Sequence, residues 1–263
     1  MKLQLPGKYF IAGLLLVATA AVLITIAFVT NRGDITSAAV VIAGMICAVT
    51  GIFILTFSGG EPIDPRLVGI LPAQDLINVC RIASDLGITG NAYFLPPRVT
   101  GEKRVMLFNP VSTYQGYPVR SGDSFPPSGP PGLVTVPSCD LLIRDLKSRN
   151  TLPKTVSGEE VTRLLRETIS GIFEFAPVVS ASWQKNTVTV TLQGYRFIEG
   201  CQIIARESPH CCSMHPCAAC SLCGALIAEG MDTIVSLDQC SSDTASQSIT
   251  AIFSLLPGPD THP

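Results

Sequence analysis

VVSASWQKNTVTVTLQGY, residues 178–195, is the stretch on which the fold turns. Val188, Val190 and Leu192 alternate with Thr187, Thr189 and Thr191, a period of two that predicts a strand buried on one face only. Lys185 and Asn186 form a tight turn between this strand and the preceding one, so the stretch is an antiparallel hairpin. Upstream, SGEE (157–160) pairs Ser157 with Glu160 as a capping box. Val161, Leu164, Leu165, Ile169 and Ile172 then share one helical face. Downstream, RFIEGCQIIARE (196–207) and CAACSLCGALIAEG (217–230) read as helices, the second built of small apolar residues and ending at Gly230. TIVSLDQ (233–239) and QSITAIFSLL (247–256) close the pattern as strands, with Ile249, Ala251, Phe253 and Leu255 on one face. Helix, hairpin, helices, hairpin is the order of an α+β domain with antiparallel β-hairpins.

Further out, AQDLINVCRIASDLG (73–87) spaces Leu76, Val79, Cys80, Ala83 and Leu86 as a helix, with Gly87 as its C-terminal stop. NAYFLPP and RVMLFNP follow as strands joined through RVTGEK, which makes 61–108 a helix–strand–strand unit. Residues 109–132 form a Pro/Gly-rich loop, an irregular excursion of a composition typical of mobile segments. LVTVPS (133–138) resumes a strand, and CDLLIRDLKSR (139–149) is a short amphipathic helix for which Ser138 is the expected N-cap. The α+β unit spans 133–256 and carries a Cys-rich segment, 201–240. The tail 257–263, PGPDTHP, is expected to be disordered, with His262 a bystander.

Residues 1–60 are a different material. FIAGLLLVATAAVLITIAFVT (10–30) and ITSAAVVIAGMICAVTGIFILTF (35–57) hold no charged residue. As helices, both are long enough to cross a hydrocarbon core of about 30 Å. Asn31, Arg32, Gly33 and Asp34 leave room only for a tight turn, so this is a transmembrane α-helical hairpin with both flanks on one side. The first apolar run is longer than a signal peptide needs, and a second span follows at once. Lys2, Lys8 and Arg66 favour cytoplasmic termini in a multi-pass protein of the cell membrane. Ala20, Ala21, Ala39, Ala43, Gly44, Ala48 and Gly51 suit close helix packing, and Cys47 is a small apolar filler. Neither span contains an ionisable side chain other than that thiol, so the hairpin reads as an anchor and not as a transport path. A net charge of −2, with Lys and Arg scattered, excludes the electrostatic footprint of a nucleic-acid-binding protein.

The two-span hairpin, DLGITGNAYFLPP with RVMLFNP after it, GLVTVPSCDLLIRDL, and the helix running into GIFEFAP resemble an uncharacterised family of archaeal membrane proteins. That family has an N-terminal hairpin followed by a soluble α+β domain, and the resemblance implies no activity. The last 65 residues are distantly similar to 4-vinyl reductase-type small-molecule-binding domains through Cys220, Cys223, Gly224, Gly230 and Cys240. That likeness implies a ligand pocket.

The chemistry-bearing stretch is PHCCSMHPCAACSLCGALIAEG (209–230), with five of the ten cysteines and two of the three histidines. Candidate metal ligands are His210, Cys211, Cys212, His215, Cys217, Cys220 and Cys223. Cys217, Cys220 and Cys223 have iron–sulfur spacing, with Cys201, Cys212 or Cys240 available as a fourth ligand, although the C-x3-C-P ending of bacterial ferredoxins is missing. A zinc site would pair two of His210, Cys211, Cys212 and His215 with two later thiols. Against both stands helical geometry: if the helix begins at Pro216, the three thiols spread along and around it, and only Cys217 and Cys220 meet. The plain alternative is a set of buried reduced thiols acting as small hydrophobes. In a cytoplasmic domain stable disulfides are disfavoured. At a helix N-terminus a Cys217 thiolate would be stabilised.

No hydrolase triad, phosphate loop or dinucleotide fingerprint is present. Glu159, Glu160, Glu167 and Glu174 read as a solvated helix face, and Trp183 and Tyr195 as core or rim aromatics. The sequence therefore points away from an enzyme. It predicts a membrane-anchored cytoplasmic domain acting as an interaction or ligand-sensing module, with a protein partner or a second copy of the chain at the membrane. The alternative is a zinc or iron–sulfur redox sensor built on 210–223, and a third is an unrecognised thiol enzyme.

Overall fold

A computed structural model describes residues 8–30, 35–58, 64–119, 124–126, 129–149 and 157–256. The expected turn at 31–34 and the tail 257–263 lie outside them. The chain divides into two compact units, Met1–Ile63 and Asp64–Pro263.

The first unit is α1 (Lys8–Thr30) packed antiparallel on α2 (Ile35–Ser58). Small residues set the approach: a Cβ added at Gly51 would sit 2.8 Å from the Val17 side chain, and one at Gly44 would sit 2.9 Å from Ile24. Ala20 is buried at the same contact. Gly13, which faces Leu55, joins this set although the sequence pattern did not single it out. Among the described residues, four helical stretches are apolar and long enough to cross a membrane, and burial separates them. The two N-terminal ones are 11% buried, whereas Cys211–Met231 is 78% buried and belongs to a domain core.

The second unit is built on one seven-stranded antiparallel sheet of order β3-β2-β1-β6-β7-β5-β4. Helices α3 (Pro65–Ile70) and α4 (Ala73–Asp85) lead into β1 (Tyr93–Leu95) and β2 (Met106–Pro110). The RVTGEK connection pairs those strands as a hairpin and contains one helical turn, α5 (Pro97–Thr100), stopped by Gly101 at φ 75°. After β3 (Gly132–Thr135) comes α6 (Asp140–Ser148). Its N-cap is Cys139, with no side-chain cap, instead of Ser138. The Ser138 hydroxyl is drawn away to donate to the Pro216 carbonyl at 2.8 Å. The 109–132 loop is anchored in part: Tyr114 and Val119 are buried, and Tyr114 packs edge-on against Phe108.

α7 (Gly158–Arg166) starts at the Ser157–Glu160 capping box and continues as a π-helical stretch, Glu167–Ile172. The wider turn shifts the buried face, so Ile169 is buried while Ile172 is exposed. β4 (Val178–Gln184) and β5 (Thr187–Gln193) form the predicted hairpin, with Lys185 at φ 49° in its turn. α8 (Ile198–Glu207), a short α9 (Cys211–Met214) and α10 (Ala218–Met231) precede β6 (Ile234–Asp243) and β7 (Ser248–Leu256). The main core joins Val188, Val190, Leu192, Ile249, Ala251 and Phe253 from the sheet to Leu164, Leu165, Leu222 and Leu226 from the helices. The Ser and Thr side chains of β4 and β5 face outward, as the alternation requires. α10 is nearly all buried because Gly224 lets its backbone approach β1: a Cβ there would collide with the Phe94 ring.

Candidate functional site

The Cys-rich loop between α8 and α10 is held from several sides. The Ala92 N–H donates to the Ser213 carbonyl at 2.8 Å, and the buried Asn109 amide donates to the Met214 carbonyl at 2.7 Å. The expectation against a stable disulfide is overturned here. Cys211 is joined to Cys80 of α4, with Cα atoms 5.6 Å apart, well within bridging range. Cys211 therefore leaves the set of free thiols. Apolar packing of Leu76, Ile77, Ile88, Ile204 and Met214 around the bridge explains why the two backbones come so close.

The remaining thiols sort into two groups. Cys201 of α8, Cys212 of α9, Cys217 and Cys220 at the start of α10, and Cys240 of β6 meet in one string, with Cys217 and Cys240 half-buried and the other three buried. Their hydrogen-bonded contacts run Cys201–Cys217, Cys217–Cys220, Cys220–Cys240 and Cys240–Cys212. The Cys220 and Cys240 sulfurs are 3.5 Å apart. Cys217 is the N-cap of α10, in extended conformation at ψ 166°, and not a residue inside the helix. That single turn of backbone swings its thiol toward Cys201, while Cys217 and Cys220 meet and Cys223 stands apart, as helical spacing requires. Cys223 is buried on α10 one turn further on, and burial first, then the nearby Cys217, Cys139 and Cys240, push its titration upward. Cys139 accepts a hydrogen bond from Ser221 at 3.4 Å, and burial pushes it up to about 12.

Within the string the titrations split. Hydrogen bonds from Cys201 and Cys220 pull Cys217 well below the ordinary thiol range, and those from Cys212 and Cys220 lower Cys240 to about 5. Their donors Cys201, Cys212 and Cys220 are raised, first by giving those bonds and then by burial. The Tyr195 hydroxyl contacts Cys217 and is raised by burial. His215 is largely enclosed, and burial lowers it toward the neutral imidazole; His210 is exposed. The sulfurs touch pairwise along a line. Among the described residues no group of three or more His, Cys, Asp or Glu side chains is placed to hold a metal ion as the side chains stand.

Two members of the string, Cys201 and Cys240, lie outside 210–223, and Cys240 also falls beyond the strand expected to end at Gln239. A β-bulge brings it in. The register of β6 on β7 shifts between Leu237 and Gln239, so that Leu237 faces Phe253 and Cys240 faces Ala251 on the same side of the sheet. Without that extra residue, positions 237 and 240 would point to opposite faces. Asp238 sits at the bulge and accepts hydrogen bonds from Ser236 at 2.7 Å and from Ser254.

Beside the string lies a cavity of about 360 Å³. Phe175, Tyr195, Phe197 and Leu141 line it together with Cys201 and Cys217, and no Asp, Glu, Lys, Arg or His contributes. Its size falls within the range of small-molecule sites. Comparisons of the chain with protein families, curated proteins and solved structures found no match.

Proposed function

We propose that this chain is a membrane-anchored binding module whose soluble domain holds one thiophilic metal ion in the Cys201–Cys212–Cys217–Cys220–Cys240 string. The observation that carries the reading is the convergence of five free cysteines from α8, α9, the start of α10 and β6 in one string. Cysteines acting only as small hydrophobes have no reason to gather sulfur against sulfur. Redox exchange with outside thiols needs an accessible sulfur, which three of the five lack: Cys201, Cys212 and Cys220 are 6%, 7% and 1% exposed, while Cys217 and Cys240 are half-buried. A single ion also fits better than an iron–sulfur cluster. Tetrahedral Zn–S bonds of about 2.3 Å place sulfurs about 3.8 Å apart, close to the 3.5 Å between Cys220 and Cys240. A cluster interposes irons and sulfides and spreads its ligands further. Side-chain rotation would close the string into a cage, with thiol protons released as the ion binds.

The test is metal analysis of the full chain in detergent, purified anaerobically with and without added zinc. About one ion per chain, with a thiolate-to-metal absorption band after cobalt substitution, is expected. Metal-free folded protein that takes up no ion sinks the proposal.

The cavity supports a second reading, a site for a small neutral apolar ligand, in line with the sensing role and with the likeness to small-molecule-binding domains. The anchor reading follows from the exposed apolar surfaces of α1 and α2. The Lys and Arg bias supports cytoplasmic termini, whereas the Cys80–Cys211 disulfide favours an oxidising side. Labelling a cysteine placed in the β6–β7 turn with a membrane-impermeant maleimide on intact cells decides between the two sides.

A further inference from the structure

Helices α3 and α4 expose more apolar surface than their packing accounts for. Leu67, Val68, Ile70 and Leu71 of the α3 segment are 55%, 41%, 37% and 73% exposed. On α4 the inner face of Ala73, Leu76, Ile77, Cys80 and Ala83 is buried, yet Val79, Ile82 and Leu86, spaced three and four apart, form a second apolar stripe at 38%, 61% and 54% exposure. Leu141 of α6, 75% exposed, shares the rim of the apolar cavity with Val68. Scattered exposed leucines are ordinary, but a run of them in one short segment is a contact surface.

What would cover that surface is indicated by where it lies in the chain. Residues 59–64 alone separate Ser58, the end of α2, from Pro65, the start of α3. A fully extended link of that length spans about 25 Å. With the hairpin in a membrane, lipid is the first apolar phase that α3 can reach. The stretch Arg66–Asp85 is itself apolar and long enough to cross a bilayer by composition. It is broken at Pro72 between two helices, however, and its inner face is committed to the domain core, so it is built to lie on a membrane and not to cross it.

We infer that the exposed apolar face of α3 and α4, with Leu141 beside it, docks on the lipid bilayer as an interfacial surface. This rests on the hairpin being a membrane anchor. Docking would seat the domain against the membrane and turn the cavity rim at Val68 and Leu141 toward lipid, where an apolar molecule enters without crossing water.

Tryptophan depth-quenching tests it on the full chain in liposomes. In a Trp183→Phe background, single reporters are placed at exposed positions that the core does not use: Leu71→Trp, Ile82→Trp, Ala245→Trp in the β6–β7 turn, and Phe28→Trp in the hairpin. With lipids brominated on the upper acyl chain, the Leu71 and Ile82 reporters are expected to lose about half or more of their emission, as an interfacial depth requires. The Phe28 reporter should also be quenched, and the Ala245 reporter should not. If the Phe28 reporter is quenched while those at 71 and 82 stay as bright as that at 245, the docking inference fails and the anchor stands. An unquenched Phe28 reporter overturns the anchor and the docking together. Blue-shifted but unquenched reporters at 71 and 82 that revert when the protein is diluted into excess lipid would show a second copy of the chain on this face, which also overturns it.

Discussion

Cys240 shows how one residue decides a site. Its side chain reaches the other thiols only because β6 carries one residue more than β7 between Leu237 and Gln239. Cys217→Ser and Cys240→Ser are expected to lower zinc content to well below one ion per chain, whereas Cys223→Ser, outside the hydrogen-bonded string, leaves it unchanged; metal analysis of the three purified variants checks this. Cys139 offers a test by pH. Burial raises its folded-state titration to about 12 from the ordinary thiol range. Its neutral form is thus favoured in the fold. That contribution is complete below the unfolded pKa of about 8.5 and is lost at roughly 1.4 kcal/mol per unit as pH rises toward 12. Cys139→Ala should therefore flatten part of the alkaline decline in melting temperature, and Cys139 in the native chain should resist iodoacetamide at pH 9. At this scale the sequence was half legible. Cys212, Cys217 and Cys220 stood out by spacing, whereas Cys240 was one of three open choices for a fourth ligand, because a bulge breaks strand parity without a mark in the residues. Cys211 was indistinguishable from Cys212 until its packing against Cys80 was seen.

Elements whose stability is written locally were the most readable. The capping box at Ser157 and Glu160 is present as its residues demand, with the Ser157 N–H donating to the Glu160 carboxylate at 2.8 Å. Ser157→Ala should cost about 1 kcal/mol, measurable as a lower urea midpoint with an unchanged slope. The β4–β5 hairpin and the buried small-residue helix α10 were legible for the same reason. The π-helical stretch, α9 and the uncapped start of α6 were not, the last because Ser138 is drawn off by the distant Pro216 carbonyl; the short α3, by contrast, carries local signals in the Asp64 cap and Pro65. α10 depends on a distant neighbour too. Gly224→Ala would drive a methyl into the Phe94 ring, and overpacking of this kind typically costs about 1–3 kcal/mol. A drop of that size in chemical unfolding is expected, and Phe94→Leu in the same chain should recover part of it by making room.

For the whole molecule, composition alone separated the hairpin from the α+β domain, because the absence of charge over two spans needs no tertiary information. The sheet order did not follow from sequence, since β1 pairs with β6 across more than a hundred residues and only folding reveals that contact. The Cys80–Cys211 disulfide works at this scale, closing a loop with a sequence separation of 131. The chain-entropy account gives about 4–5 kcal/mol for loops of such length. Replacing both cysteines with serine should lower the melting temperature markedly, and added reductant should then change it no further.

The seam between β1 and β6 consists of two residue pairs, Tyr93 with Ser236 and Phe94 with Val235. Strands β4, β5, β7 and β6 would make a sheet without it, but one whose β6 edge has unpaired backbone groups. An open strand edge invites pairing with another chain. Synthesis runs from the N-terminus, so β1, β2 and β3 leave the ribosome before β6 exists. The cover is made ahead of the edge it protects, and the nascent chain does not have to present β6 bare to other chains.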